Sequence, residues 1–118
     1  MRKVLICEDE KEVQGLLKDI LLKNKYEVYT AEDGKTAIAK TREIKPDLLL
    51  LDIRMPKLDG LEVAKEIRDF NTEVKIIFIT GFQSPEISKE AAKYNILGYI
   101  VKPSPAKAIL QVIKQALK

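Results

Sequence analysis

Four consecutive leucines, Leu48 to Leu51, run directly into Asp52. An ionised carboxylate beside such a run is costly unless something compensates it. A folded domain tolerates that position at the mouth of a buried strand, where the backbone leaves the sheet and a charge can meet solvent, a metal or a ligand. Three other runs have the same form. Val4-Leu5-Ile6-Cys7 leads into Glu8-Asp9-Glu10, Ile76-Ile77-Phe78-Ile79 into Thr80-Gly81, and residues 96–101 into Lys102-Pro103. Four strand-like runs therefore finish in acid, acid, hydroxyl and ammonium, and the expectation is that these ends meet at one site.

At 118 residues the chain has the size of one domain with a real core, so residues 1–118 are read as a single domain. A hydrophobic content of 46% with 33% charged residues fits a globular protein and argues against disorder. No apolar run approaches the ~20 residues that cross a bilayer. Met1-Arg2-Lys3 opens into a strand-like run with no signal-peptide pattern. Cys7, the one cysteine, cannot form an internal disulfide. Together these features point to the cytoplasm. A net charge of +3, spread along the chain, gives no footprint for direct nucleic-acid binding. The absence of histidine excludes Ser-His-Asp and Cys-His catalysis, histidine metal sites and a phosphohistidine on this chain itself.

Strand-like and helix-like segments alternate. Residues 3–7 read as a buried strand. Residues 11–24 place Val13, Leu16, Leu17, Ile20 and Leu21 at helical spacing. Residues 26–30 alternate and are rich in β-formers, which suits an edge strand. Residues 35–44 read as a helix through Ala37, Ile38, Thr41 and Ile44, stopped by Lys45-Pro46. Residues 47–51 form the second buried strand. Asp59 can cap a helix whose apolar face is Val63, Ala64, Ile67 and Phe70. Asn71-Thr72 breaks it before a strand at 74–79. Ser84-Pro85 offers a hydroxyl cap followed by proline at the first helical position, and that helix uses Ile87, Ala91 and Tyr94. After the strand at 96–101, Ser104-Pro105 repeats the signal, with Ala106, Ile109, Ile113 and Ala116 as the packing face.

Five strands alternating with five helices, the strands apolar on both sides, give an α/β fold: a (βα)5 doubly wound five-stranded parallel sheet. Ligands in such sheets sit outside the carboxyl ends of the strands, where the strand order reverses. With the flavodoxin-like order 2-1-3-4-5, Glu8, Asp9 and Asp52 face one another, and Thr80 and Lys102 close in from the fourth and fifth strands. Three clustered carboxylates repel, so either one protonates or a hard cation joins them. Oxygen ligands favour Mg²⁺ or Mn²⁺ over Zn²⁺. A carboxylate beside a divalent cation and an ammonium suits attack on phosphorus, with Thr80 hydrogen-bonding the transferred group. Each element also has a plainer reading: an acidic helix N-terminus for Glu8-Asp9-Glu10, which Glu10 fits best, a turn for Thr80-Gly81, half-buried packing for Tyr99, and surface charge for Lys102.

Taken together, Glu8-Asp9, Asp52, Met55-Pro56 with Asp59-Gly60, Thr80-Gly81, Tyr99 and Lys102-Pro103 resemble the response-regulator receiver domain of two-component signalling (CheY-like superfamily) along the whole chain. The resemblance implies that Asp52 accepts a phosphoryl group from a phosphohistidine on a sensor histidine kinase or histidine phosphotransfer protein. It implies that Asp9 and Asp52 bind Mg²⁺ with the backbone carbonyl of Arg54, Glu8 assisting through water, and that Mn²⁺ substitutes. It further implies that Lys102 contacts the phosphoryl group, that Thr80 and Tyr99 shift together, and that the Lys102–Pro103 bond is cis. The face of the fourth helix, fifth strand and fifth helix would then be reshaped for a downstream protein target, or for a fused output domain absent from this chain. Such a domain is a signalling switch, not an enzyme.

Three departures from the family pattern stand out. Ser104 replaces the usual aromatic residue after Lys102-Pro103. The last strand and helix lack the charged residues that winged-helix regulators use to dimerise. Arg54 and Phe82 occupy the two positions that modulate water access, and neither orients water well, so self-dephosphorylation is expected to be slow. Among rivals, an FMN carrier would need a phosphate loop where Glu8-Asp9-Glu10 stands. A haloacid-dehalogenase-type phosphatase would need its paired aspartates after the first strand. A phosphorylation-independent scaffold for protein–protein interaction is the remaining alternative.

Overall fold

The computed structural model describes residues 1–55, 58–81 and 84–118. Strands β1 (Lys3–Cys7), β2 (Glu27–Ala31), β3 (Leu48–Asp52), β4 (Lys75–Thr80) and β5 (Ile96–Val101) alternate with helices α1 (Lys11–Lys23), α2 (Gly34–Ile44), α3 (Gly60–Phe70), α4 (Pro85–Ala92) and α5 (Ala106–Ala116). All strand pairs are parallel and the order is β2-β1-β3-β4-β5. This is the (βα)5 arrangement expected from the alternation, with β2 and β5 at the edges. No helix among the described residues is long and apolar enough to cross a membrane.

Successive side chains of a strand point to opposite faces, and here both faces are covered. Val4, Ile6, Leu48, Leu50, Ile77, Ile79 and Ile100 pack with Leu17, Ile20, Leu21, Ile109, Ile113 and Leu117 from α1 and α5. Leu5, Leu49, Leu51, Ile76 and Phe78 pack with Ala37, Val63, Ala64, Ile67 and Ala91 from α2, α3 and α4. The leucine run is therefore a central strand divided between two cores, which is why it shows no polar alternation.

The cap of α3 is as expected: Asp59 accepts from the Glu62 N–H at 3.0 Å. Ser84 likewise accepts from the Ile87 N–H, at 3.2 Å, at the start of α4. Several details differ from the sequence reading, among them β4, which runs over Lys75–Thr80 instead of 74–79. Asp52 is the last residue of β3, and β2 begins at Glu27, because the Tyr26 N–H is still bound to Leu21 O at the end of α1. Ser104 does not cap α5: the cap position falls to Pro105, and the Ser104 hydroxyl turns back to donate to Val101 O. Leu16 (53% exposed) and Ala106 lie outside the core, and Leu117 completes the buried stripe of α5 instead.

Candidate functional site

Alternation along the strands decides which side chains meet. Glu8 continues the parity of Val4 and Ile6, Asp52 that of Leu48 and Leu50, and Lys102 that of Ile100. All three belong to the face covered by α1 and α5. Pairing of β1 with β3 brings the first two ends together, and β4 with β5 supplies the third. Lys102 Nζ lies 2.9 Å from Glu8 Oε1, 3.2 Å from Asp52 Oδ2 and 3.5 Å from Glu10 Oε1. Asp9 reaches the same place from the solvent side: one carboxylate oxygen from each of Glu8, Asp9 and Asp52 falls within a cluster whose members are at most 4.8 Å apart.

The electrostatics are those of a crowded acid site. Glu8 and Asp52 are buried, with Glu8 fully so. Burial pushes the Glu8 carboxyl up from 4.5 to about 7, and Asp52 beside it adds to the effect while Lys102 opposes it. Burial alone would pull the Lys102 ammonium down, but Glu8 and Asp52 outweigh it and hold its pKa above the ordinary lysine value. Glu8 Oε1 is buried, and the Lys102 ammonium stands 2.9 Å from it as an ion pair. Three converging carboxylates, two of them buried, are an all-oxygen donor set that fits a hard divalent cation.

The other oxygens and the surrounding backbone are held in place. Glu8 Oε2 accepts from the Glu10 N–H at 3.1 Å and Asp52 Oδ1 from the Arg54 N–H at 3.1 Å. Gly60 packs so closely on the backbone after Asp52 that a Cβ there would stand 2.7 Å from both Asp52 O and Ile53 Cα. The Gly60 N–H donates to Ile53 O at 2.8 Å, so the start of α3 braces the turn that follows Asp52.

Thr80 ends β4 almost fully buried, and its carbonyl accepts from the Lys102 N–H at 2.7 Å. Its parity is that of Ile76 and Phe78, on the opposite face of the sheet from Asp52 and Lys102. Half-buried Tyr99 shares that face, packed edge-to-face on Phe78 with ring centroids 6.1 Å apart. The Lys102–Pro103 bond is cis. Pro56 and Phe82, named from the sequence, lie outside the described residues.

Sequence reasoning treated Glu10 as an acid at a helix start, and it does hold the cap position of α1. It missed the contact with Lys102, whose one signal is that three consecutive acids follow the first strand. The sulfur pair beneath the site was also missed: Cys7 Sγ lies 3.3 Å from Met55 Sδ, and burial pushes the thiol up to about 12, which keeps it inert.

An acid cluster at the carboxyl ends of β1 and β3, faced by a lysine from the end of β5, defines a receiver-type site. Residues 4–114 match the family described as "Response regulator receiver domain", and the chain belongs to that family. It is 34% identical over 116 residues to the chemotaxis protein CheY of Bacillus subtilis, covering 98% of this chain and 97% of that one. It is 30% identical to the regulatory protein AtoC of Escherichia coli, of which it spans 26%. Among solved structures it resembles Vibrio cholerae CheY4 (TM-score 0.92, 30% identity, 99% of both chains). A CheY-like receiver domain from Methanospirillum hungatei has a TM-score of 0.94 at 29% identity, over 99% of this chain and 94% of that one. Receiver domains are signalling switches of response regulators.

Proposed function

We propose that this domain is a phosphoacceptor in a two-component phosphorelay and that Asp52 is the residue modified. The observation that carries the proposal is the ammonium of Lys102 set between Glu8 and Asp52, with Asp9 in reach of both carboxylates. An Asp52 carboxylate oxygen attacks the phosphorus of the donor and the bond to the donor's leaving nitrogen or oxygen breaks. The leaving atom keeps the electron pair, and the product is an aspartyl phosphate. Glu8, Asp9, Asp52 and the Arg54 carbonyl would hold Mg²⁺, or Mn²⁺ in its place. The cation supplies neutralising charge for the phosphoryl oxygens. Lys102 leaves the carboxylates to meet the transferred group, and the Thr80 hydroxyl donates to one of its oxygens.

The donor would be a sensor histidine kinase or a histidine phosphotransfer protein. On modification Thr80 is drawn in, Tyr99 follows on the same face of the sheet, and the surface of α4, β5 and α5 changes for a downstream protein. A tenfold shift between the two states needs only about 1.4 kcal/mol of differential stabilisation, which a charge-assisted hydrogen bond can supply.

The test is intact mass after incubation with acetyl phosphate and Mg²⁺. The wild-type chain should gain one phosphoryl group, and the Asp52→Asn variant or a chelated sample should gain none. No gain under any condition would discard the phosphoacceptor and leave the scaffold in its place. Self-dephosphorylation should be slow because Arg54 orients water poorly; an acyl-phosphate half-life of seconds at 25 °C would count against this.

A further inference from the structure

At the amino ends of the strands, opposite the acid site, a cleft of about 640 Å³ is lined by Arg2, Arg42, Lys45 and Lys75 together with Asp47 and Glu73. Four cations thus face two carboxylates. Among the described residues none of these six side chains is in an ion pair. Asp47 is engaged elsewhere, with Oδ2 accepting from the Lys3 N–H at 2.7 Å. The Arg42 guanidinium carbon lies 3.9 Å from the centroid of the Phe70 ring, and its N–H groups meet no acceptor among the described residues. Asn71, also in the wall, accepts the Glu73 and Val74 N–H groups at 2.9 Å through Oδ1, so its NH₂ is the end still able to bond. The wall is therefore rich in unused donors.

The plainer explanation is that the cations offset the negative ends of the α2 and α3 dipoles. In the last turns of those helices, however, Thr41 O and Ile67 O are met by backbone N–H groups, and so is Asp47 O at the start of β3. Thr41 O accepts from the Lys45 N–H at 3.1 Å, Ile67 O from the Asn71 N–H at 2.8 Å and Asp47 O from the Lys75 N–H at 3.2 Å. Arg68 donates to Asn71 O at 3.2 Å and Val74 O at 2.7 Å. The charged side-chain ends of the four cleft cations bond to none of these carbonyls. The cleft volume falls among small-molecule sites, roughly 300–1,000 Å³, and exceeds what a single phosphate fills.

We propose that this cleft binds a polyphosphate chain, either inorganic or carried on a nucleoside. Forked guanidinium groups and mobile ammonium groups around one hollow are the donors such a chain selects. The proposal does not depend on Asp52 being a phosphoacceptor.

Titration calorimetry of the full chain in chelator, with sodium tripolyphosphate and with ATP, tests it away from any metal at the acid site. The Arg2→Gln/Lys45→Asn variant removes two exposed cations, and asparagine tolerates the left-handed backbone of Lys45 (φ 54°). It should weaken binding about tenfold or more. Lys107→Gln/Lys114→Gln removes the same charge from α5 and should change affinity less than about twofold. Equal affinity for the two probes identifies the chain alone as the ligand, and tighter ATP adds the nucleoside; both support the site. Equal losses from the cleft and α5 variants would reduce the effect to general charge attraction and overturn the proposal. Absence of saturable binding at millimolar probe would also overturn it.

Discussion

The residue on which most of the site's energetics turn is Lys102. Its ammonium stands among three carboxylates, two of them buried, and is the cation that compensates them when no metal is bound. Lys102→Met should lower stability by about 2 kcal/mol in chelator, the size of a lost charged contact, and by less in Mg²⁺. Chemical denaturation with and without the metal checks this. Glu8 gives a pH dependence. Its carboxyl titrates at about 7 in the fold against 4.5 as a free group, so the folded state holds the proton more tightly. The stability linked to that proton is complete below about 4.5 and is lost as pH rises through about 7. Metal-free unfolding free energy should therefore decline over that window, and Glu8→Gln should remove the decline. Mg²⁺ affinity should rise over the same window, because the proton competes for the same oxygens.

At the scale of elements, two contacts set the positions of loops around the sheet ends. Gly60 lets α3 begin against the backbone of Asp52 and Ile53. Gly60→Ala should cost about 1–3 kcal/mol by overpacking and slow phosphorylation by displacing the turn after Asp52; thermal melts and the mass assay read the two effects. Arg68 of α3 donates to Tyr94 O (2.7 Å), Asn95 O (3.3 Å), Asn71 O and Val74 O, joining the start of β4 to the turn between α4 and β5. Arg68→Met should leave several of these carbonyls unmet and speed amide exchange at residues 93–96 well before the core exchanges. The elements themselves could be read from the sequence because their signals are local: apolar runs, Asp59 and Ser84 as caps, Lys45-Pro46 as a stop. Ser104 was misread for a physical reason. Its hydroxyl had a nearer carbonyl, that of Val101, and the helix began one residue later.

Over the whole molecule, the positions of Glu8, Asp9, Asp52 and Lys102 were legible because polar residues at the ends of buried strands have few places to go. The cleft at the other end was not. Arg2, Arg42, Lys45 and Lys75 are spread over the chain, and nothing local in the sequence says that α2 and α3 end beside the starts of β1, β3 and β4. Alternation along the strands has one more outcome. Glu8, Asp52 and Lys102 follow one side of the sheet and Thr80 with Tyr99 the other, so the sheet is a partition between two compartments of the molecule. Such a partition tolerates many substitutions but no change of frame. Deleting a single leucine from 48–51 would leave the composition almost untouched, yet it would turn Asp52 toward α3 and away from Lys102.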